Sequence, residues 1–225
     1  MLPGYYFEGV FSKYEKLIKQ LNHRTVEYQP KELIFPIGQY FDKAIYIQSG
    51  MVRDTILNTQ GREANVMHFQ GPGMVIPCYC RPYRTSLEPL LSVDAYTPVK
   101  ALTFDIREFG DLVIHTPELA QDVIEMQLRL QNSALVRIQQ TSSYTSLQQV
   151  CNTLYIMRVI NGTTDLMMTQ EEVGAFTGLS RVQVTRVLKQ LREEGIIATQ
   201  RGHITVKDSD RLYSYCTAIV KDDIV

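Results

Sequence analysis

No run in the 225-residue chain approaches the roughly 18 apolar residues that cross a membrane, so no spanning segment is expected. The first residues, MLPGYYFEGV, lack the basic start and long apolar core of a secretory leader. Cysteine is scarce. Cys78, Cys80, Cys151 and Cys216 are too few and too scattered for a disulfide scaffold, and a cytoplasmic protein with free thiols is expected. Net charge is nearly absent, −1 at neutral pH, so no whole-chain field draws the protein to a polyanion and any such binding must come from a local patch. Catalytic signatures are missing too. The chain has no glycine-rich phosphate loop, no H-E-x-x-H and no G-x-S-x-G. The acidic pairs Glu171-Glu172 and Asp222-Asp223 read as a helix start and a solvated tail. The expectation is therefore no enzyme, no catalytic residue, no cofactor and no metal. What is present is a globular composition, 44% hydrophobic and 21% charged, at a length natural for two domains.

Periodicity divides the chain. Phe7, Phe11, Tyr14, Leu17, Ile18 and Leu21 recur at helical spacing, which predicts a short amphipathic helix over 5–22. From about 24 to 105 short β-branched and aromatic runs take over, at 33–35, 44–47, 51–57, 64–69 and 99–104. Gly38, Gly50, Gly61, Gly71, Gly73 and Pro98 separate them, as in an antiparallel sandwich, roll or barrel. Thr116-Pro117-Glu118 then starts a helix that no glycine or further proline interrupts before Gly162. Along it Ile124, Leu128, Gln131, Leu135 and Ile138 alternate steps of four and three, the spacing of a coiled-coil seam. A second stripe, Leu119, Val123, Met126 and Leu130, lies beside it. One face can cover the β domain while the other meets an identical helix. Ser142-Ser143-Tyr144-Thr145 reads as a hinge, and 145–160 as a further helix with Leu147, Val150, Leu154 and Met157 inward.

The sharpest signal lies near the C-terminus. Thr169 and Glu172 form one capping box, Ser180 and Gln183 a second, and Gly178 can supply a tight turn between the two short helices they start. That is the helix-turn-helix pattern. On the second helix Val184, Val187, Leu188 and Leu191 make a buried stripe. Ser180, Arg181, Val182, Gln183, Thr185, Arg186 and Lys189 are left to face duplex DNA. Arginine can donate two hydrogen bonds to guanine, and glutamine can pair with adenine. Residues 196–206 read as a hairpin with Arg201-Gly202 at its tip, a wing suited to phosphate. Residues 179–207 carry six basic side chains against Glu193 and Glu194, the local patch that the whole-chain charge does not provide.

Ser180-Arg181-x-x-Val184-x-Arg186-x-Leu188-x-x-Leu191, followed by Glu194-Gly195-Ile196-Ile197, resembles the recognition helix and wing of the Crp/Fnr family of bacterial transcription regulators. Gly38, Gly50, Gly61 and Gly73, with Ile34-Phe35 and Tyr46-Ile47, resemble its cyclic-nucleotide-binding β roll. The resemblance spans about 25–210 in the family's order. It implies an α+β chain: an N-terminal antiparallel β roll with an effector-sensing role over 1–115, a long dimerisation helix and hinge over 116–143, and a winged helix-turn-helix over 144–225. It also implies a homodimer on a near-palindromic duplex site, with Ile124, Leu128, Gln131, Leu135 and Ile138 at the dimer interface. RNA polymerase is the further partner that activation would require. Where the cAMP-responsive member has glutamate after the first arginine, this chain has Val182, which can contact a thymine methyl instead.

The same comparison argues against cAMP. The family's ribose- and phosphate-binding cassette is replaced after Gly73 by Met-Val-Ile-Pro77-Cys78-Tyr79, and its Arg-Ser pair falls near Pro89-Leu90, which cannot neutralise a buried phosphate. The first 77 residues hold no cysteine, so the N-terminal iron–sulfur ligands of the oxygen-sensing branch are absent. What remains is an unidentified small-molecule effector. Tyr79, Arg81, Tyr83 and Arg84, with Gln127 and Gln131 from the long helix, are the candidate pocket, suited to an aromatic or acidic organic ligand. Alternatives stay open: a constitutive DNA-binding regulator, or a redox, metal or haem sensor using Cys78 and Cys80. His68, His115 and His203 are scattered and read as structural or solvent-facing.

Overall fold

The computed structural model describes residues 5–37, 41–57, 64–78 and 91–222. Tyr79, Cys80, Arg81, Tyr83 and Arg84 lie outside the described residues, as do Gly38 and Gly61. The chain divides into two compact units, one drawn from 3–60 and 66–134 and one mainly from 135–225.

The first unit is built from two sheets. Its strands are β1 (Tyr6–Phe7), β2 (His23–Tyr28), β3 (Leu33–Phe35), β4 (Lys43–Ser49), β5 (Val52–Leu57), β6 (Ala64–Gln70), β7 (Val75–Ile76), β8 (Leu91–Ala95) and β9 (Val99–Asp105). One sheet runs β1-β6-β5-β8-β3 and the other β2-β9-β4-β7. The described pairings are antiparallel except β1 with β6, which is parallel. Ala44, Ile45, Tyr46 and Ile47 are all buried on β4, in one core cluster with Phe7, Phe11, Tyr14 and Ile18 of the N-terminal segment.

That segment corrects one expectation. Residues 5–22 do not form one helix. Tyr6–Phe7 is a strand, Ser12–Tyr14 a single 3-10 turn, and only α1 (Glu15–Ile18) is α-helical. Non-local bonds decide it. The Gly9 amide donates to the Pro72 carbonyl and the Phe11 amide to the Gly73 carbonyl, both at 2.8 Å. Gly73 has φ +79°, and a Cβ there would run into Ser12 Oγ and the Gly9 backbone. The apolar residues are buried as their spacing requires, with Phe7, Phe11, Tyr14 and Ile18 in the core, but by three kinds of backbone.

Helix α2 (Ile106–His115) leaves β9 directly. It is capped by Asp105, whose carboxylate accepts from the Arg107 amide at 2.7 Å. No separate helix was expected here, since Gly110 sits in the middle of it. Helix α3 (Pro117–Ser143) has two faces. Leu119, Val123 and Met126 are buried in the core of the first unit. Ile124, Leu128, Leu135 and Ile138 are 62%, 57%, 56% and 64% exposed, and Gln131 among them is exposed too. At its end Thr141 and Ser142 bond back to carbonyls of their own helix, which weakens the last turn. After Tyr144, Thr145 caps α4 (Ser146–Asn161) in a capping box with Gln148.

Asp122 on α3 anchors the N-terminal segment. Its Oδ2 accepts from Tyr14 Oη at 2.7 Å and pairs with Lys13 Nζ at 2.8 Å. Burial pushes the Asp122 pKa up, but the hydrogen bonds from Lys13 and Tyr14 and the lysine charge outweigh it, and the net shift is downward from 3.8. A lowered folded pKa stabilises above the unfolded value and is lost as pH falls through the folded one. Asp122→Asn is therefore expected to cost about 1 kcal/mol at neutral pH. In melts against pH, the gap between variant and parent should begin to narrow below about pH 4 and close only once the pH has fallen through the lowered folded value. A gap that does not narrow at all as the medium is acidified would exclude the ionised carboxylate as its source.

The second unit holds α4, β10 (Asp165–Leu166), α5 (Gln170–Thr177), α6 (Arg181–Glu193), β11 (Ile197–Gln200), β12 (His203–Val206), α7 (Ser209–Ser214) and α8 (Ala218–Asp222). Its three-stranded sheet runs β10-β12-β11. Val150, Leu154 and Met157 on α4 pack inward, whereas Leu147 is half-buried.

Candidate nucleic-acid interface

The geometry between α5 and α6 follows from short-range chemistry. Thr169 Oγ1 accepts from the Glu172 amide at 3.1 Å, and Glu172 Oε2 accepts from the Thr169 amide at 2.8 Å. Gly178 takes φ +73° and its amide donates to the Gly174 carbonyl at 2.8 Å. Thr177 Oγ1 accepts from the Leu179 amide at 3.2 Å. Gly174 lets the turn close: a Cβ there would stand 3.1 Å from the Leu179 carbonyl. Ser180 then opens α6 with the second box.

Helix α6 is held by its inner face and free on its outer one. Val184, Val187, Leu188 and Leu191 are buried. Arg181, Val182, Gln183, Thr185, Arg186 and Lys189 are exposed, Val182 to 69%. These side chains are not equally available. Gln183 Oε1 accepts from the Ser180 amide at 3.0 Å and from Ser180 Oγ at 2.8 Å. Thr185 Oγ1 is within 2.8 Å of the Arg181 carbonyl and 2.9 Å of Gln170 Oε1. Arg181 makes a long ion pair, 3.5 Å, with Glu171. Lys189 does the same with Glu193 at 3.7 Å. Long exposed pairs are weak and easily exchanged for other partners.

Beside α6 stands the wing, β11 and β12 joined through Arg201-Gly202, with Gly202 at φ +75°. Strand β10 braces it. Thr205 Oγ1 donates to Asp165 Oδ1 at 3.1 Å, and His203 Nδ1 lies 3.6 Å from the other oxygen of the same carboxylate. Between wing and helices runs a polar groove of about 650 Å³, lined by Gln170, Glu171, Arg181, Arg201 and His203 among others. Gln170, Glu171 and His203 are not among the site residues expected from sequence, where Glu171 reads as part of a helix start and His203 as structural or solvent-facing. The signal was present for the first two, which directly follow the Thr169 cap, but His203 is brought in by strand pairing. At the far end of α6, Glu194 receives Tyr215 Oη at 2.8 Å, and Arg211 Nη1 donates to its carbonyl at 2.8 Å. Hydrogen bonds from Gln190 and Tyr215 hold the Glu194 carboxyl below its usual range. Gly195, at φ +73°, turns the chain into the wing.

Gln183 separates folding from reading. Gln183→Glu keeps the acceptor oxygen and adds a negative charge where the helix dipole favours one. It is expected to melt at or above the parent temperature while binding DNA more weakly. Gln183→Ala should lose about 0.5–2 kcal/mol of stability with the cap. Paired melts and DNA titrations check this. A Glu variant that is both less stable and unchanged in DNA affinity contradicts it.

In the other unit, Gln127 on α3 faces the start of the candidate effector segment. Its Nε2 donates to the Cys78 carbonyl at 2.9 Å and lies 3.1 Å from Cys78 Sγ. Cys78 is buried. Gln131 points outward, into the exposed stripe. Among the described residues no three of His, Cys, Asp and Glu gather in a metal-binding group, and no helix is long and apolar enough to cross a membrane.

Residues 148–215 match the model of the Crp-like helix-turn-helix domain. Over 199 residues the chain is 26% identical to the transcriptional activator protein FnrL of Cereibacter sphaeroides, covering 82% of this chain and 77% of that protein. A solved structure from Eubacterium rectale, assigned to the crp/fnr family, superposes with a TM-score of 0.78 at 20% identity, covering 91% of this chain and 94% of that one. The c-di-GMP-responsive global regulator CLP of Xanthomonas campestris superposes with a TM-score of 0.75 at 13% identity, over 87% of this chain and 98% of that one. At these identities the structural likeness speaks to fold alone. Residues 148–215 thus carry a Crp-like helix-turn-helix domain, and over most of its length the chain is similar to transcription regulators of the Crp/Fnr family.

Proposed function

We propose that the protein acts as a homodimer on a near-palindromic duplex site, placing one α6 in the major groove of each half-site, and that a small molecule other than cAMP controls it through the N-terminal unit. The observation that carries this reading is α3. Its inner stripe is buried at Leu119, Val123 and Met126, while Ile124, Leu128, Leu135 and Ile138 remain more than half exposed at coiled-coil spacing. Four large apolar side chains in a row are a face suited to a partner, and an identical α3 across a twofold axis would present the same stripe to it. Two copies of α6 related by that axis read inverted half-sites. On α6, Arg181, Val182 and Arg186 are the base-edge candidates. Ser180, Gln183 and Thr185 spend polar atoms on the cap and on Gln170, and the wing's Arg201 is suited to phosphate. The effector acts by favouring one arrangement at the hinge near 142–145. RNA polymerase is the partner if the protein activates, and the compartment is the cytoplasm.

The test is selection of binding sites from random duplex DNA at fixed salt, with the purified protein alone and with cell-extract metabolites. Enrichment of an inverted repeat supports the reading. Enrichment without additives points to a constitutive regulator or a repressor released by its ligand, and enrichment only with extract to an activating effector. A single unrepeated motif would refute the dimeric mode, and no enrichment at all would refute sequence-specific reading.

A further inference from the structure

Buried inside the first unit is a polar group that neither packing nor DNA binding uses. Asp54 on β5, His68 and Gln70 on β6 and Ser133 on α3 are 4%, 5%, 3% and 1% exposed. Alternation places Val66, His68 and Gln70 on one face of β6. Gln70 Nε2 donates to Asp54 Oδ2 at 2.7 Å. The imidazole Nε2 of His68 stands 2.6 Å from the same oxygen, but not in hydrogen-bonding alignment. Its other nitrogen lies 3.5 Å from Ser133 Oγ, and the ring meets Phe7 edge-on at 5.3 Å. Asp54 Oδ1 and Gln70 Oε1 have no hydrogen-bond partner among the described residues. Nearby Arg53 does not serve them, because its guanidinium is engaged by both oxygens of Asp94 at 3.2 and 2.8 Å.

Both unpartnered oxygens are acceptors, and one belongs to a carboxylate. Leaving such atoms buried and unmatched is costly. What complements them is a group rich in N–H donors that carries positive charge. A protonated amine offers three donors, and an amidinium or guanidinium offers a planar fork that fits a carboxylate. An anionic ligand would meet Asp54 as a like charge. We infer that the effector is a cationic nitrogen compound, an amine, amidine or guanidine, bound by Asp54 Oδ1 and Gln70 Oε1 on the inner face of β5 and β6. His68 and Ser133 are positioning residues: a change in the hydrogen bonding of Asp54 is passed through the imidazole to α3. This inference rests on the effector reading above and replaces the acidic-ligand expectation by one of opposite charge.

The full chain is melted with benzylamine, benzamidine and agmatine, and with benzoate and adipate as charge-reversed controls. DNA affinity is measured with the same probes. A melting temperature that rises with the concentration of a cationic probe, and not with the anions, is expected. Asp54→Asn should abolish the rise. If that variant fails to fold, Gln70→Leu should still bind the cation roughly tenfold more weakly. Ser133→Ala should keep the melting response while losing any effect on DNA affinity. A cation that binds through Asp54 without altering DNA affinity upholds the site and sinks the effector reading. An anion that stabilises the parent and Asp54→Asn equally sinks the site and leaves an effector. No response to any probe overturns the inference, with buried water then serving the two oxygens.

Discussion

Glutamate at both Leu128 and Ile138 is expected to leave the protein folded but monomeric. The two side chains are 57% and 64% exposed, so neither substitution removes a contact from the core that Leu119, Val123 and Met126 build on the opposite face of α3. In a dimer the same positions would lie on the seam. Burying a leucine or isoleucine there is worth about 1.5–3 kcal/mol, and a symmetric interface counts each residue twice. Glutamates introduced across a twofold axis add like charges in a desolvated strip, which costs more than the lost apolar area alone. Sedimentation should show a single species of monomer mass, with the helical signal retained. Affinity for a two-half-site duplex should fall roughly 10²- to 10⁴-fold, because the second half-site contact loses its high effective concentration. Affinity for an isolated half-site should hardly change. A double variant that stays dimeric would place the partner surface elsewhere.

Legibility from sequence tracked how local the determining interactions were. The helix-turn-helix was readable because each piece is settled within a few residues: Thr169 with Glu172, Gly178 with Gly174, Ser180 with Gln183, and a stripe at 184, 187, 188 and 191. The two faces of α3 were readable for the same reason, since helical spacing alone sorts the buried stripe from the exposed one. The N-terminal segment was misread because its fate lies with residues far along the chain. Phe7 joins a strand that pairs with β6, and Gly9 and Phe11 bond to the backbone at 72 and 73. Helical spacing of Phe7, Phe11, Tyr14 and Ile18 fixed which residues are buried, not how the backbone delivers them. Asp54, His68 and Gln70 were invisible as a group, for polar residues in short strands are ordinarily assigned to the solvent side. Only the pairing of the strands and the arrival of Ser133 show that they face inward together. Gln183 is an intermediate case. Its capping role was legible, but the consequence was not: an oxygen holding the Ser180 amide is not also free for an adenine.

Arg181→Ala is expected to lower affinity for the selected site by about 1–3 kcal/mol, on the order of ten- to a hundredfold, with the melting temperature unchanged. Arg181 is the first residue of α6, where a recognition helix presents side chains to base edges, and its side chain is 76% exposed. Among the described residues it is tethered by Glu171 at 3.5 Å, a contact that DNA can replace at little cost. The loss should be confined to sequences carrying the preferred base at one position in each half-site, so that specificity there relaxes. Arg181→Lys should not restore it, since an ammonium lacks the planar fork that meets two acceptors on one base. Arg201→Ala offers the contrast. At the tip of the wing its charge is suited to phosphate, so affinity should fall by a similar factor on every sequence, and the dependence of log affinity on log salt should flatten by about one contact. Titrations on a panel of single-base variants at two salt concentrations separate the outcomes. If Arg181→Ala weakens all sequences equally and flattens the salt dependence, Arg181 is a phosphate contact, and base reading on this helix passes to Val182 and Arg186.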